Sequence, residues 1–118
     1  MTNTNFDIPI FAKSYELYKA LHNFNSSIDK QNRYTLWQKC QNTVLDIIEW
    51  LLMTAQMNDQ NKITALIKVS IKIDTLRVFI RLAKETKVID NKKYIALQAI
   101  IDEIWRMLGW WIKTTKNK

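Results

Sequence analysis

Apolar residues recur at helical spacing through most of this 118-residue chain, and the pattern predicts four helices at about 9–24, 30–57, 60–87 and 91–114. In the first, Ile10, Leu17, Leu21 and Phe24 share a face, which Phe11, Tyr15 and Tyr18 broaden. Asp7 is placed to cap this helix, and Pro9 falls in its first turn, where a missing N–H costs little. In the second, Trp37, Cys40, Val44, Ile47 and Leu51 follow spacings of 3, 4, 3 and 4, beside a parallel line of Leu45, Ile48, Leu52 and Ala55. In the fourth, Tyr94, Leu97, Ile101, Ile104, Leu108 and Trp111 repeat at 3, 4, 3, 4 and 3. Asp90 is its expected cap, with Ile89 and Tyr94 placed as a hydrophobic staple. Polar links at 25–29 and 58–61 are short, which favours antiparallel neighbours. The expected fold is all-α, a single antiparallel four-helix-bundle domain over residues 1–118.

The third helix carries two apolar lines. Leu66, Val69, Ile73, Leu76, Ile80 and Ala83 form one seam, and Ile63, Ile67, Ile71, Val78 and Leu82 form another. At ~100° per residue the lines lie well over a third of a turn apart. Either one broad stripe packs on two neighbours within the bundle, or the second line is covered by another copy of the chain. Large exposed apolar patches are uncommon on monomers, which favours self-association.

Composition supports helices over strands. One Gly and one Pro leave too few turn residues for a β-rich fold. Cys40 is the only cysteine, so no intramolecular disulfide forms. No apolar run approaches the ~20 residues of a membrane span. Met1 to Asp7 has no basic-then-apolar signal pattern, and a cytoplasmic location is the expectation.

Charge is unevenly placed. Residues 1–59 hold five Lys/Arg and six Asp/Glu, a balance of −1, whereas 60–118 hold thirteen and five, a balance of +8. Such a field suits a polyanion or an acidic protein. On the third helix Arg77, Arg81 and Lys84 follow i, i+4, i+7, Lys68 and Lys72 form an i, i+4 pair, and Lys87, Lys92 and Lys93 carry the charge into the next turn. Guanidinium and ammonium groups in a row suit phosphates, with Arg able to bind them bidentately. A solvated face with intrahelical pairs is the alternative. The candidate nucleic-acid-binding residues are therefore Arg77, Arg81, Lys84, Lys68, Lys72 and Lys87. Replacing Arg77 and Arg81 together by Ala is expected to leave folding intact and weaken binding.

Catalytic chemistry is poorly supplied. His22 is the only histidine and has no metal-ligand partner three or four positions away. Structural zinc and phosphate-cradling loops need Cys, His and Gly that are missing, so no metal or cofactor is expected. Cys40 with His22 is conceivable as nucleophile and base, but Cys40 sits on an apolar stripe. The carboxylates read as structural: Asp102 with Arg106, Glu16 with Lys19, and Glu49 partly buried against a cation. Trp105, Trp110 and Trp111 crowd the last turns of the fourth helix and suit core or interface anchoring better than base stacking.

The order and spacing of several segments carry a family resemblance. They are Ile8-Pro9-Ile10-Phe11 with Lys13 and Tyr15; Asn42-Thr43 ahead of Ile47, Glu49 and Leu51; Leu76-Arg77 with Ile80-Arg81-Leu82-Ala83-Lys84; and Asp102-Glu103-Ile104 with Arg106-Met107-Leu108-Gly109 and Trp111-Ile112-Lys113. Over nearly its whole length the chain resembles the accessory variability determinant (Avd) proteins of diversity-generating retroelements. The resemblance implies a four-helix protomer in a homopentameric barrel with a basic surface. It also implies a non-catalytic role beside a reverse transcriptase, binding that enzyme and RNA or DNA while template-repeat RNA is copied into mutated cDNA. Trp105 and Trp110 depart from the family pattern, standing where small residues, often Gly, are expected. A protein-interaction module with incidental nucleic-acid affinity is the rival reading, and a helical enzyme using Cys40 or His22 is the weakest.

Overall fold

The computed structural model describes residues 9–117. The expected cap Asp7, and Ile8 of the first resembling segment, lie outside that range. Helix α1 spans Pro9–Phe24, followed by a 3-10 turn at Asn25–Ser27. A single helical turn, α2, spans Lys30–Arg33, and three long helices follow: α3 at Leu36–Ala55, α4 at Asp59–Glu85 and α5 at Asn91–Lys116. No strand occurs among the described residues.

The helix expected at 30–57 is thus two helices. Thr35 leaves helical geometry at φ −121°, ψ −98°. The short α2 is fastened on its own terms: Asp29 accepts the Asn32 N–H at 3.3 Å, and Arg33 Nη2 donates to the Ile28 carbonyl at 2.9 Å. Thr35 Oγ1 donates back to the Gln31 carbonyl at 2.9 Å. Beyond the break, Trp37 is fully buried and its indole N–H donates to the Leu21 carbonyl at 3.1 Å. That bond, sixteen residues away in sequence, fixes the entry of α3 onto α1.

Every packed pair of long helices runs antiparallel. Stepping up α4 from Lys68 to Lys72 steps down α3 from Trp50 to Asp46. Stepping from Arg77 to Lys84 steps down α5 from Asp102 to Tyr94. Lys13 of α1 meets Glu103 of α5, and Phe24 at the other end of α1 meets Lys93. Since α3 and α5 both oppose α4, and α1 opposes α5, α1 also opposes α3. The substantial contacts are α1 with α3, α3 with α4, α4 with α5, and α5 with α1, so the long helices close a four-cornered bundle. Its long dimension, 46 Å, is little more than the length of α4, about 40 Å at 1.5 Å per residue.

The predicted seams line the interior. Leu17 and Leu21, Trp37 to Leu51, Leu66 to Ala83, and Leu97 to Leu108 meet in one apolar cluster. Four hydroxyls are buried with it, and each donates to the carbonyl four residues before it: Ser14, Thr43, Thr54 and Thr115. Among the described residues no buried hydroxyl is therefore left without a partner, which is the condition for placing it in a core. Asn58 and Asp90 cap α4 and α5, accepting the N–H groups of Asn61 and Lys93 at 3.1 and 2.8 Å. Ile89 is buried and Tyr94 packs against the same cluster, as a staple requires. Among the described residues no helix is long and apolar enough to cross a membrane.

Candidate nucleic-acid interface

Four surfaces of α4 frame the candidate site: a core face, an outward ridge and two flanks. Leu66, Val69, Ile73, Leu76, Ile80 and Ala83 face the core. Ile67, Ile71, Val78 and Leu82 lie roughly half a turn away, 46, 60, 55 and 42% exposed. The second apolar line does not serve the bundle. It forms an outward ridge directly opposite the core.

The ridge divides the candidate cations. Lys68 and Lys72 occupy the flank facing α3: Lys72 Nζ is 3.8 Å from Asp46, and Lys68 Nζ lies 5.2 Å from the Trp50 ring centroid. Arg77, Arg81 and Lys84 occupy the flank facing α5. The six residues therefore do not form one continuous surface. Lys87 lies past the end of α4, in the turn, and lines a depression together with Lys84.

The members of the α5-side row differ in freedom. Arg77 Nη1 is 2.6 Å from Asp102 Oδ1 and 3.4 Å from Gln98 Oε1, and its guanidinium lies 5.8 Å from the Trp105 ring centroid. It is a clamp between α4 and α5. Lys84 Nζ lies 4.5 Å from the Tyr94 ring, a cation–π contact that directs the ammonium without neutralising it. Arg81 and Lys87 are exposed, and among the described residues their side chains have no hydrogen-bond or ion-pair partner. Between α4 and α5 runs an open groove of about 410 Å³ lined by Asp74, Arg77, Val78, Arg81, Tyr94 and Gln98.

Several expected pairs are replaced by tertiary ones. Asp102 bonds Arg77 on α4, not Arg106 one turn along its own helix. Glu16 pairs with Lys13, which also reaches Glu103 at 3.1 Å; Lys19 takes no part. The Lys13 ammonium is held above its ordinary pKa by the hydrogen bonds to Glu16 and then Glu103. Glu49 is exposed, not partly buried against a cation, because it points away from both neighbours of α3. The residues that spacing missed are Asp102, Gln98, Tyr94 and Trp105, which gain their place only when α5 docks on α4.

The indoles divide as well. Trp37 is core, Trp50 and Trp111 are half-buried against it, and Trp105 and Trp110 are 40 and 66% exposed. Cys40 is buried, and burial pushes its thiol pKa up to about 12, so it is held protonated and far from nucleophilic use. His22 is exposed on α1. Among the described residues no three His, Cys, Asp or Glu side chains cluster as metal ligands would.

The fold and its charge place the molecule among small basic helical-bundle proteins. A model of the bAvd-like family matches residues 10–115, and the chain belongs to that family. At family level this is an accessory role in diversity-generating retroelements. A search among curated proteins returns no match.

Proposed function

We propose that the protein is a non-catalytic accessory factor of a diversity-generating retroelement, acting in the cytoplasm by binding the reverse transcriptase together with template-repeat RNA or its cDNA. Phosphates are held along the α5-side flank of α4 by Arg81 and Lys84, with Lys87 at its end and Arg77 contributing the part of its guanidinium that Asp102 leaves open. The observation that carries this reading is the pair of exposed, unpartnered cations, Arg81 and Lys87, continuing one flank of α4 in the half of the chain with a balance of +8. Lys68 and Lys72 contribute to the positive field from the other flank.

A second observation supports assembly. The ridge of Ile67, Ile71, Val78 and Leu82 has the exposed apolar character of a subunit contact, and we assign it to further copies of the chain, in the five-subunit barrel that the Avd resemblance implies. Repeating the basic flank around a ring multiplies the phosphates that can be neutralised along one strand.

Binding of the purified protein to single-stranded RNA and duplex DNA across a salt series tests the reading. Affinity should fall with a log–log slope of about −0.7 per phosphate neutralised on single strands and about −0.9 on duplex. Arg81→Ala with Lys84→Ala should flatten that slope in a folded protein, and is a cleaner variant than one at Arg77, whose loss also opens the α4–α5 clamp. Unchanged affinity in the folded double variant would remove the flank from the site. No binding by the wild-type chain would leave the charge to a protein partner.

A further inference from the structure

The turn from α4 to α5 departs from the usual helix ending at one residue. Lys87 adopts φ 64°. Its N–H reaches the Lys84 carbonyl at 3.0 Å, and the Val88 N–H reaches the Ala83 carbonyl at 2.8 Å. This bond pair is the Schellman ending, in which Gly usually takes the left-handed position because an L side chain is strained there. Here a lysine takes it. Strain of this kind directs attention to what the side chain does.

Lys87 borders a depression of about 430 Å³, which Lys84 from the end of α4 and Lys93 from the start of α5 also line. Lys84 is held over the Tyr94 ring, and Lys93 Nζ lies 5.6 Å from the Phe24 ring centroid. Two ammonium groups are thus directed by aromatic rings and the third is unpartnered. The carboxylate in the same depression is Asp90, 3.6 Å from Lys93 and occupied by the Lys93 N–H as the α5 cap. Three ammonium groups against one carboxylate leave a balance of +2. A phosphomonoester carries about −1.5 to −2 at neutral pH, where an internal phosphodiester carries a single charge. The three lysines also come from two helices and a turn and border one depression, where a row would follow a single helix face. Lys84 belongs both to the depression and to the row with Arg81, so a strand tracking the row would deliver its end here.

We propose that the depression at the α4–α5 turn receives the terminal phosphomonoester of a nucleic-acid strand. This rests on the nucleic-acid reading above and adds the strand end to it.

The test is binding of one short single-stranded oligonucleotide made with a 5′-phosphate, with a 3′-phosphate, or with neither, to the wild-type chain and to Lys87→Gly and Lys84→Gln. The wild-type chain should prefer one phosphorylated end by about tenfold. That preference should shrink below about pH 6, as the phosphate takes up its second proton. Lys87→Gly should bring the ratio close to one while raising the thermal midpoint, a combination that a merely structural lysine would not produce. Equal wild-type affinity for all three strands would overturn the proposal and leave the flank reading standing. A preference that persists in both variants would also overturn it, by locating the phosphate elsewhere. Failure of every strand to bind would remove the nucleic-acid reading itself, and the proposal with it.

Discussion

Lys87 and the two aspartate caps show how much can hang on single positions. Lys87→Gly removes the strain of a left-handed L residue while keeping both turn bonds, so it should stabilise the fold by about 1 kcal/mol. Thermal or urea unfolding would read the gain, and a loss of stability instead would mean that the side chain itself supports the turn. Asp90 is held below the ordinary carboxylate range chiefly by the Lys93 N–H, and Asp29 by the side chain and then the N–H of Asn32. A depressed folded pKa contributes stability above the unfolded value of about 3.9, and that contribution is lost as pH falls through the folded pKa. The caps therefore leave stability flat between neutral pH and about 5 and weaken it below about 4. Asp90→Asn keeps a capping oxygen without the titration, so its thermal midpoint should decline less steeply in acid than that of the wild-type chain.

At the scale of the element, α4 joins two apolar faces of opposite purpose. Leu76 is fully buried, and Leu76→Ala should cost about 2–5 kcal/mol, through reduced burial and the cavity left behind. Ile71 is 60% exposed on the ridge, and Ile71→Asp should leave the protomer's helical signal intact while lowering the mass seen by light scattering. A variant of unchanged mass would take the ridge out of the subunit interface, and an unfolded one would mean that the ridge serves the protomer. Both apolar lines were legible in the sequence, because each keeps to one face at helical spacing: 3, 4, 3, 4 and 3 in the first, and 4, 4, 7 and 4 in the second. Which line faced inward was not legible, since both are aliphatic and of similar length. The break at Thr35 was also hidden: neither Gly nor Pro marks it, and Asp29, Arg33 and Trp37 make it through bonds to Asn32, Ile28 and Leu21.

For the whole molecule, the proposed function joins the lopsided charge and the apolar ridge in one device. A lone protomer offers only a short basic flank, with Arg77 partly spent on Asp102. Several copies joined along the ridge would present several such flanks to one polyanion. The salt dependence of binding should therefore be steeper for the assembled wild-type chain than for the Ile71→Asp protomer. The difference in log–log slope should be about 0.7 for each single-strand phosphate that the assembly neutralises and the protomer does not. Equal slopes at unequal mass would mean that one protomer neutralises every phosphate by itself.

The amino-acid sequence alone determined the helical class, the four long helices, the apolar lines along them, the cap at Asp90, the basic second half and the family. These rest on local chemistry: side-chain period, capping groups and charge count are properties of neighbours along the chain. Only the tertiary structure decided that Lys68 and Lys72 lie across a ridge from Arg81 and Lys84, that Asp102 engages Arg77, and that Lys84, Lys87 and Lys93 border one depression. Those relations depend on how α3 and α5 dock on α4, and docking is set by the shape of the buried faces, which a helical period does not specify.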